Sequence, residues 1–110
     1  MTMHIIFEVH VKPGYQAEQY AQAWVDASRI IQRAPGALGT RLHRKIGDPG
    51  TLLAIATWTS KAARDAMESE QPAAVRDIIA AQAAFVDVKL IGEFEDAEWA
   101  VLPDADGARR

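Results

Sequence analysis

The chain has 110 residues, of which 49% are hydrophobic and 25% are charged, with a formal net charge of −3 at pH 7 and no cysteine. The weakly acidic balance argues against proteins that bind nucleic acid or anionic membranes through a basic surface. The absence of cysteine excludes disulfides, thiolate metal sites and a cysteine nucleophile, and it is typical of a cytoplasmic protein. The length predicts one domain.

No targeting or membrane segment is expected. The first residues, MTMHIIFE, have no positively charged region, and Glu8 interrupts their apolar run, so they do not resemble a signal peptide. No stretch of the sequence approaches the roughly 18 consecutive apolar residues that a membrane-spanning helix needs.

The first third of the chain predicts a strand and then a helix. Residues 4–12 alternate between two faces, which is typical of a strand, and Pro13-Gly14 ends it. One face carries Ile5, Phe7, Val9 and Val11, and the other carries His4, Ile6, Glu8 and His10. Residues 15–33 repeat apolar or small side chains every three or four positions, which predicts a helix that stops before Pro35-Gly36.

Two strands follow. Residues 38–45 alternate, with Leu38, Thr40 and Leu42 on one face and Arg41, His43 and Lys45 on the other. The residues Gly47-Asp48-Pro49-Gly50 are typical of a turn. Residues 51–58 are apolar on both faces, so they predict a central strand that is covered on both sides.

The last third predicts a helical region and a fourth strand. Ser60 suits the N-cap of a helix over residues 61–68, and Pro72 suits the first turn of a second helical piece. In the strand at residues 86–94, one face is expected to carry Val86, Val88, Leu90 and Phe94, and the other Asp87, Lys89, Ile91 and Glu93. Residues 103–110 are expected to be a flexible tail, which leaves 1–102 as the domain.

The order of elements is β-α-β-β-α-β, which predicts an α+β protein of the ferredoxin-like type. Its sheet has four antiparallel strands, and right-handed crossovers place the helices on one face. The other face mixes apolar side chains with charges of both signs. We expect two copies of the chain to close over that face as a homodimer.

Three segments, taken in order, resemble the antibiotic biosynthesis monooxygenase domain. They are Val11-Lys12-Pro13-Gly14, the residues APGALG at 34–39, and Thr57-Trp58-Thr59-Ser60 followed by Ala62-Ala63. The resemblance covers about residues 4–95. It implies a dimeric α+β barrel with a small-molecule cavity between the sheet and the helices of each subunit. Members of this family oxygenate phenols and anthrones without a cofactor, degrade haem, or process signalling molecules.

The sequence departs from the haem-degrading type. Haem-degrading members of the family are expected to have an Asn in the first strand, a Trp in the second helix and a His further along that helix. Here the first strand has no Asn, Met67 and Asp77 stand at the later positions, and no histidine follows His43. Phosphate-loop, dinucleotide, zinc-protease and serine-hydrolase motifs are absent as well. No cofactor and no metal site are therefore expected.

Cofactor-free oxygenation needs a base, a dry cavity and an oriented substrate. Glu8 and His10, which are neighbours on one strand face, are a candidate acid/base pair, and His43 is a further candidate. For all three, the alternative is a cross-strand network of charges with Arg41 and Lys89 at a dimer face, because the cavity is expected on the other side of the sheet.

Aromatic and apolar side chains supply the candidates for substrate binding. Tyr20 and Trp24 lie on the inward stripe of the first helix, where they could orient an aromatic ligand. The expected apolar lining consists of Phe7, Trp58, Met67 and Leu90. Ordinary core packing is the alternative for each of them. Arg64 and Asp77 could reach the mouth of the cavity, but their helical positions favour solvent.

The favoured function is a cofactor-independent monooxygenase that acts on a small aromatic or polycyclic phenol or anthrone. The alternative is a dimer on the same scaffold that binds or senses a small molecule without catalysis. A third possibility is an isomerase of a signalling molecule. The expected partners are a second copy of the chain and a small aromatic molecule, with no nucleic acid and no membrane.

Overall fold

Four strands and three helices make up the part of the chain that the computed structural model describes, residues 2–104. They are β1 (Met3–Val11), α1 (Ala17–Ile31), β2 (Ala37–Lys45), β3 (Asp48–Trp58), α2 (Lys61–Ser69), α3 (Ala73–Gln82) and β4 (Val86–Glu95). The second helical region is two helices, and Pro72 is the N-cap of α3. A proline lacks the backbone N–H that a continuous helix needs, so the break falls there. Of the predicted tail, residues 105–110 lie outside the described residues.

The sheet is antiparallel with the strand order β2-β3-β1-β4, which confirms the ferredoxin-like α+β fold. Strands β3 and β1 occupy the centre, which confirms the central strand predicted at residues 51–58. The helices pack on the face of the sheet that carries Ile5 and Val9, which we call the inner face. The opposite face, which carries His4 and Glu8, is the outer face. No helix within residues 2–104 is long and apolar enough to cross a bilayer.

The end of β4 differs from the predicted alternation. The pairing of β4 with β1 shifts by one residue at Ile91, which forms a β-bulge. A shift of one residue exchanges the faces of all residues beyond it. Phe94 therefore lies on the outer face and Glu93 on the inner face, the reverse of the prediction. Glu93 Oε2 there lies 3.0 Å from Lys61 Nζ, so the bulge ties β4 to the start of α2.

Two separate apolar clusters hold the helices against the inner face. The first consists of the buried residues Val9, Ala17, Tyr20, Leu52 and Val86. The second contains Met3, Ile5 and Trp58, with half-buried side chains of α1 and α2 packed around them. Within residues 2–104, Trp58 is the largest fully buried side chain, at 1% exposure. It lies at the corner where β3 ends and the chain turns into α2. Packing explains the position of this tryptophan.

The corner between β3 and α2 also depends on a glycine. The N–H of Thr59 donates to the carbonyl of Gly36 over 2.8 Å, and the Ser60 side chain accepts from the N–H of Ala63, which confirms the predicted cap. Gly36 has a φ of +87°. A Cβ atom on it would lie 2.6 Å from both Ala63 Cβ and Thr59 Oγ1. Only glycine fits this conformation and this spacing together.

We expect Gly36→Ala to destabilise the fold more than Gly14→Ala does. Gly14 has the same φ of +87°, but a Cβ atom on it would meet no other atom within 4 Å, so it is the matched control. The backbone strain costs about 1–2 kcal/mol in both variants. The steric clash adds about 1–3 kcal/mol at Gly36 alone. Denaturant unfolding of both variants measures the difference, and equal losses would contradict the close contact at this corner.

Candidate functional site

A cavity of about 350 Å³ lies on the inner face, between the sheet and the three helices. This volume is within the range of small-molecule sites. All four strands and all three helices contribute side chains to its wall. It lies between the two apolar clusters and takes lining residues from each, Tyr20 from the first and Ile5 and Trp58 from the second.

Small side chains on β3 explain why space exists at the centre of the sheet. Ala54 and Ala56 line the cavity and are paired with Phe7 and Ile5 of β1. Their methyl groups lie on the inner face, which the helices cover. A larger side chain at either position would fill this part of the interior, because protein cores pack at nearly uniform density.

Helix α1 supplies the aromatic part of the wall. Tyr20 and Trp24 are one helical turn apart, and both line the cavity together with Ser28 on the next turn. Burial raises the pKa of Tyr20 to about 12. At neutral pH its hydroxyl is therefore protonated. It can donate a hydrogen bond to a ligand oxygen, but it cannot serve as a base.

Helix α2 brings charge to the cavity. Arg64 and Glu68, one turn apart, form an ion pair, and both line the cavity beside Met67. The Arg64 side chain is only 17% exposed, whereas that of Glu68 is 56% exposed and marks the mouth. The helical pattern favours solvent for Arg64, which instead lines the cavity, and Glu68 was not identified from the sequence. The available signal was the spacing of four residues between opposite charges around an inward Met67.

Five of the six residues predicted to bind substrate line this cavity: Phe7, Tyr20, Trp24, Trp58 and Met67. The sixth, Leu90, lies on the inner face of β4 opposite Phe7, but it is 52% exposed and is not part of the lining. Val88, two residues earlier on the same face, contributes to the wall instead. Binding of a substrate by these residues is a prediction that the geometry permits.

The residues predicted as bases lie on the other side of the sheet. Glu8 and His43 are both paired with Leu53 on the outer face, and His10 Nε2 donates to Glu8 Oε1 over 2.5 Å. His4, the remaining histidine of the chain, is also on this face, and its hydrogen bond holds the pKa of Asp96 below the usual range. The sheet separates all of these groups from the cavity. None of the three predicted bases lines the cavity, and their acid/base role stays a prediction.

A second concavity, of about 360 Å³, is more open to solvent and lies beside the N-terminus of α1. Its two cations already have partners. Arg44 donates to Glu18 over 2.8 Å, and Lys12 donates to the carbonyl of Ala83 over 3.2 Å. Within residues 2–104 there is no group of three or more histidine, cysteine or acidic side chains that could hold a metal ion. The inner-face cavity is therefore the candidate site.

Comparisons with known proteins agree with the fold. A family model described as "Antibiotic biosynthesis monooxygenase" matches residues 2–81. The fold is similar to that of SnoaB, a cofactor-independent oxygenase from Streptomyces nogalater, with a TM-score of 0.76 and 16% identity over 94% of this chain and 98% of that one. A Deinococcus radiodurans protein named for the same family gives a TM-score of 0.73 and 18% identity over 94% of this chain and 100% of the other. No protein of curated function matches the chain.

The raised pKa of Tyr20 predicts a loss of stability at high pH. In the unfolded chain this hydroxyl ionises near its ordinary pKa of 10.0, while in the folded protein it ionises near 12. The stabilisation that comes from keeping the Tyr20 hydroxyl protonated is therefore fully present below pH 10. It is lost as the pH rises through 12, and the free energy of unfolding falls by about 2 kcal/mol in total. Denaturant unfolding between pH 8 and pH 12 measures this decline. The decline should be smaller in Tyr20→Phe, and an identical pH dependence in that variant would contradict the assignment.

Proposed function

This chain belongs to the antibiotic biosynthesis monooxygenase family, and we propose that it is a cofactor-independent monooxygenase of small aromatic phenols or anthrones. The observation that carries the proposal is the cavity itself, which has aromatic walls from α1, β1 and β3 and a protonated tyrosine hydroxyl. The description of SnoaB as a cofactor-independent oxygenase supports the absence of a cofactor. A cytoplasmic location is part of the proposal and rests on the cysteine-free composition.

The chemistry requires little covalent help from a protein. An anthrone or phenol loses a proton, and the electron-rich anion transfers electrons to molecular oxygen. In the overall reaction of an anthrone, a ring CH₂ group and O₂ give a carbonyl group and one water molecule, so O₂ is the oxidant and the substrate carbon is oxidised. The cavity contributes by excluding water and by holding the ring system. The Tyr20 hydroxyl would donate to the substrate oxygen, where negative charge develops.

One observation favours the alternative of a binding or sensing protein without catalysis. The walls of the cavity are mostly apolar, and all three histidines of the chain lie on the outer face. A ligand that is held only by shape and by the Tyr20 hydroxyl would bind without reacting. Oxygen consumption separates the two functions, because both predict binding of an aromatic ligand and only one predicts turnover.

We further propose that the protein functions as a homodimer that is closed over the outer face. The half-buried residues Ile6, Leu53 and Ile55 form an apolar strip along the centre of this face, and Phe94 beside it is 48% exposed. Beyond β4, Trp99 is 84% exposed and is followed by two further exposed apolar residues, Val101 and Leu102. Monomers rarely expose continuous apolar surface of this kind.

The charges along the two edges of the outer face support a second copy as the occupant. Arg41 and His43 lie along β2 at one edge, while β4 at the other edge carries Asp87 and Lys89, with Asp96 just beyond it. A two-fold axis parallel to the strands places β2 of one copy over β4 of its partner. That arrangement sets Arg41 and His43 against an edge that has two carboxylates and one ammonium, in both halves of the interface.

Oxygen consumption with a panel of anthrones and hydroquinones tests the catalytic proposal. We expect uptake above the spontaneous rate, and a threefold to tenfold lower kcat/KM in Tyr20→Phe, because a neutral hydrogen bond contributes about 0.5–1.5 kcal/mol. Tyr15→Phe is the matched control, since Tyr15 lies outside the cavity against Phe85. Uptake at only the spontaneous rate for the whole panel, with ligand binding intact, would favour the binding protein instead.

Sizing by light scattering tests the dimer. At micromolar concentration we expect twice the chain mass of 12.0 kDa. Phe94→Asp places a charge on the outer face and should weaken the dimer about tenfold or more, which corresponds to about 1.4 kcal/mol. Ile46→Asp is the control, because Ile46 is 99% exposed in the β2–β3 turn, away from this face. A monomer at these concentrations would refute the proposed interface.

A further inference from the structure

We propose that Arg64 and Glu68 are the proton-transfer unit of the cavity, in which Glu68 accepts the substrate proton and Arg64 binds the anion that is left. This inference rests on the proposed oxygenase function and adds the catalytic residues that the function requires. It assigns the reaction's base to α2, on the inner face, instead of to the histidines of the outer face.

The placement of the two side chains supports the assignment. Arg64 and Glu68 are four residues apart on α2, so they project from the same side of the helix, and both line the cavity. Within residues 2–104, Glu68 is the only carboxylate and Arg64 the only cation that line it. Arg64 is mostly enclosed, with 17% of its side chain exposed, and Glu68 is 56% exposed at the mouth.

The other ionisable groups near the cavity do not provide a base. The hydroxyl of Tyr20 is protonated because burial raises its pKa to about 12. Asp65, which follows Arg64, is paired with Lys61, and its Oδ1 also lies 3.5 Å from Arg64 Nη1. Lys61 first and Arg64 second hold the pKa of Asp65 below its usual range, so Asp65 is already engaged by two cations. Glu93 is held by the same lysine over 3.0 Å. Glu68 is thus the carboxylate that a substrate in the cavity can approach.

The proton transfer keeps the charge of the site constant. Before the step, the positive guanidinium of Arg64 is paired with the negative carboxylate of Glu68. The O–H bond of a phenol or the ring C–H bond of an anthrone then breaks, and an O–H bond forms on a carboxylate oxygen of Glu68. The electron pair stays on the oxygen of the phenol, or is delocalised through the ring onto the carbonyl oxygen of the anthrone. The substrate anion thereby replaces the Glu68 carboxylate as a partner of Arg64, while Asp65 Oδ1, at 3.5 Å from Arg64 Nη1, keeps its place. An aromatic oxyanion in an apolar cavity would otherwise lack a counter-charge, and a planar guanidinium suits such an oxygen.

The exposure of Glu68 allows it to lose the accepted proton before the next turnover. A fully enclosed carboxylic acid would retain the proton that it had accepted, whereas a side chain at the mouth can release it to solvent between turnovers. The enclosed position of Arg64 has the opposite advantage, because its attraction for the anion is screened less by water. The unequal exposure of the two partners matches their two proposed roles.

The first experiment compares Glu68→Gln with Glu70→Gln in oxygen uptake with an anthrone. Glu70 is exposed at the C-cap of α2 and does not line the cavity, so its variant should keep the wild-type rate. Removing a general base should lower kcat/KM by about 10²-fold or more. Added acetate should restore the rate of Glu68→Ala in a concentration-dependent way. Wild-type kinetics in Glu68→Gln, with an unchanged pH profile, would overturn the proposal.

A second experiment separates the two roles. With an electron-poor anthrone that is already ionised at the assay pH, no proton has to be removed. Glu68→Gln should then recover the wild-type rate, while Arg64→Met should stay slow and Arg64→Lys should recover in part. If Glu68→Gln lowered the rate of oxygen uptake equally with the neutral and the ionised substrate, the effect would be structural. That result would overturn the assignment of Glu68 as the base. Circular dichroism and the unfolding midpoint confirm that each variant is folded.

Binding of 2-naphthol distinguishes a failure of this inference from a failure of the oxygenase proposal. Bound to the wild type, 2-naphthol should show the naphtholate absorption band at a pH where free 2-naphthol is neutral, and Arg64→Met should abolish that band. The band without oxygen uptake would support the proton-transfer unit and refute the oxygenase. Oxygen uptake that is the same in Glu68→Gln as in the wild type would support the oxygenase and refute the proton-transfer unit. The absence of both signals would refute both proposals for these aromatic compounds.

Discussion

The contact between Gly36 and the corner of β3 and α2 determines where the charged part of the cavity lies. Helix α2 has no fully buried residue, so apolar burial alone does little to fix its position. Its start is held because a backbone hydrogen bond joins Thr59 to Gly36, and because Ala63 packs directly against the glycine. Short isolated helices are marginal in water, and tertiary contacts have to hold them in place. Arg64 follows Ala63 directly, so this contact also places the guanidinium in the cavity.

The bulge at Ile91 supports the same helix from the opposite side. Without it, strict alternation would place Glu93 on the outer face, and Lys61 at the first turn of α2 would lose its partner on the sheet. The ion pair is exposed to solvent and adds little stability by itself. Its effect is geometric, because it joins the helix to β4, whereas Gly36 joins it to the loop before β2. Two connections, one to β4 and one to the loop before β2, restrict the rotation of α2 about its own axis.

Most of the fold could be predicted because each element has a clear period and a clear end. The apolar residues 51–58 predicted a central strand, and Ser60 predicted the start of α2, and both are present. The bulge could not be predicted, because period two continues through Ile91 and the surrounding residues are typical of either face. The hydropathy pattern also could not show where the interior has empty space. Ala54 and Ala56 count as apolar residues in a pattern, and only their small volume leaves the space open.

The residues of the candidate site show a further limit of sequence patterns. Helical spacing predicts the direction of a Cα–Cβ bond, but a long side chain such as Arg64 can bend from the flank of a helix into a neighbouring cavity. The sheet is more restrictive, because each of its side chains must point to one face. The register that turns Phe7 towards the cavity turns Glu8 and His10 away from it. In this fold the sheet therefore supplies a mainly apolar wall, and the two charged side chains that line the cavity within residues 2–104 come from α2.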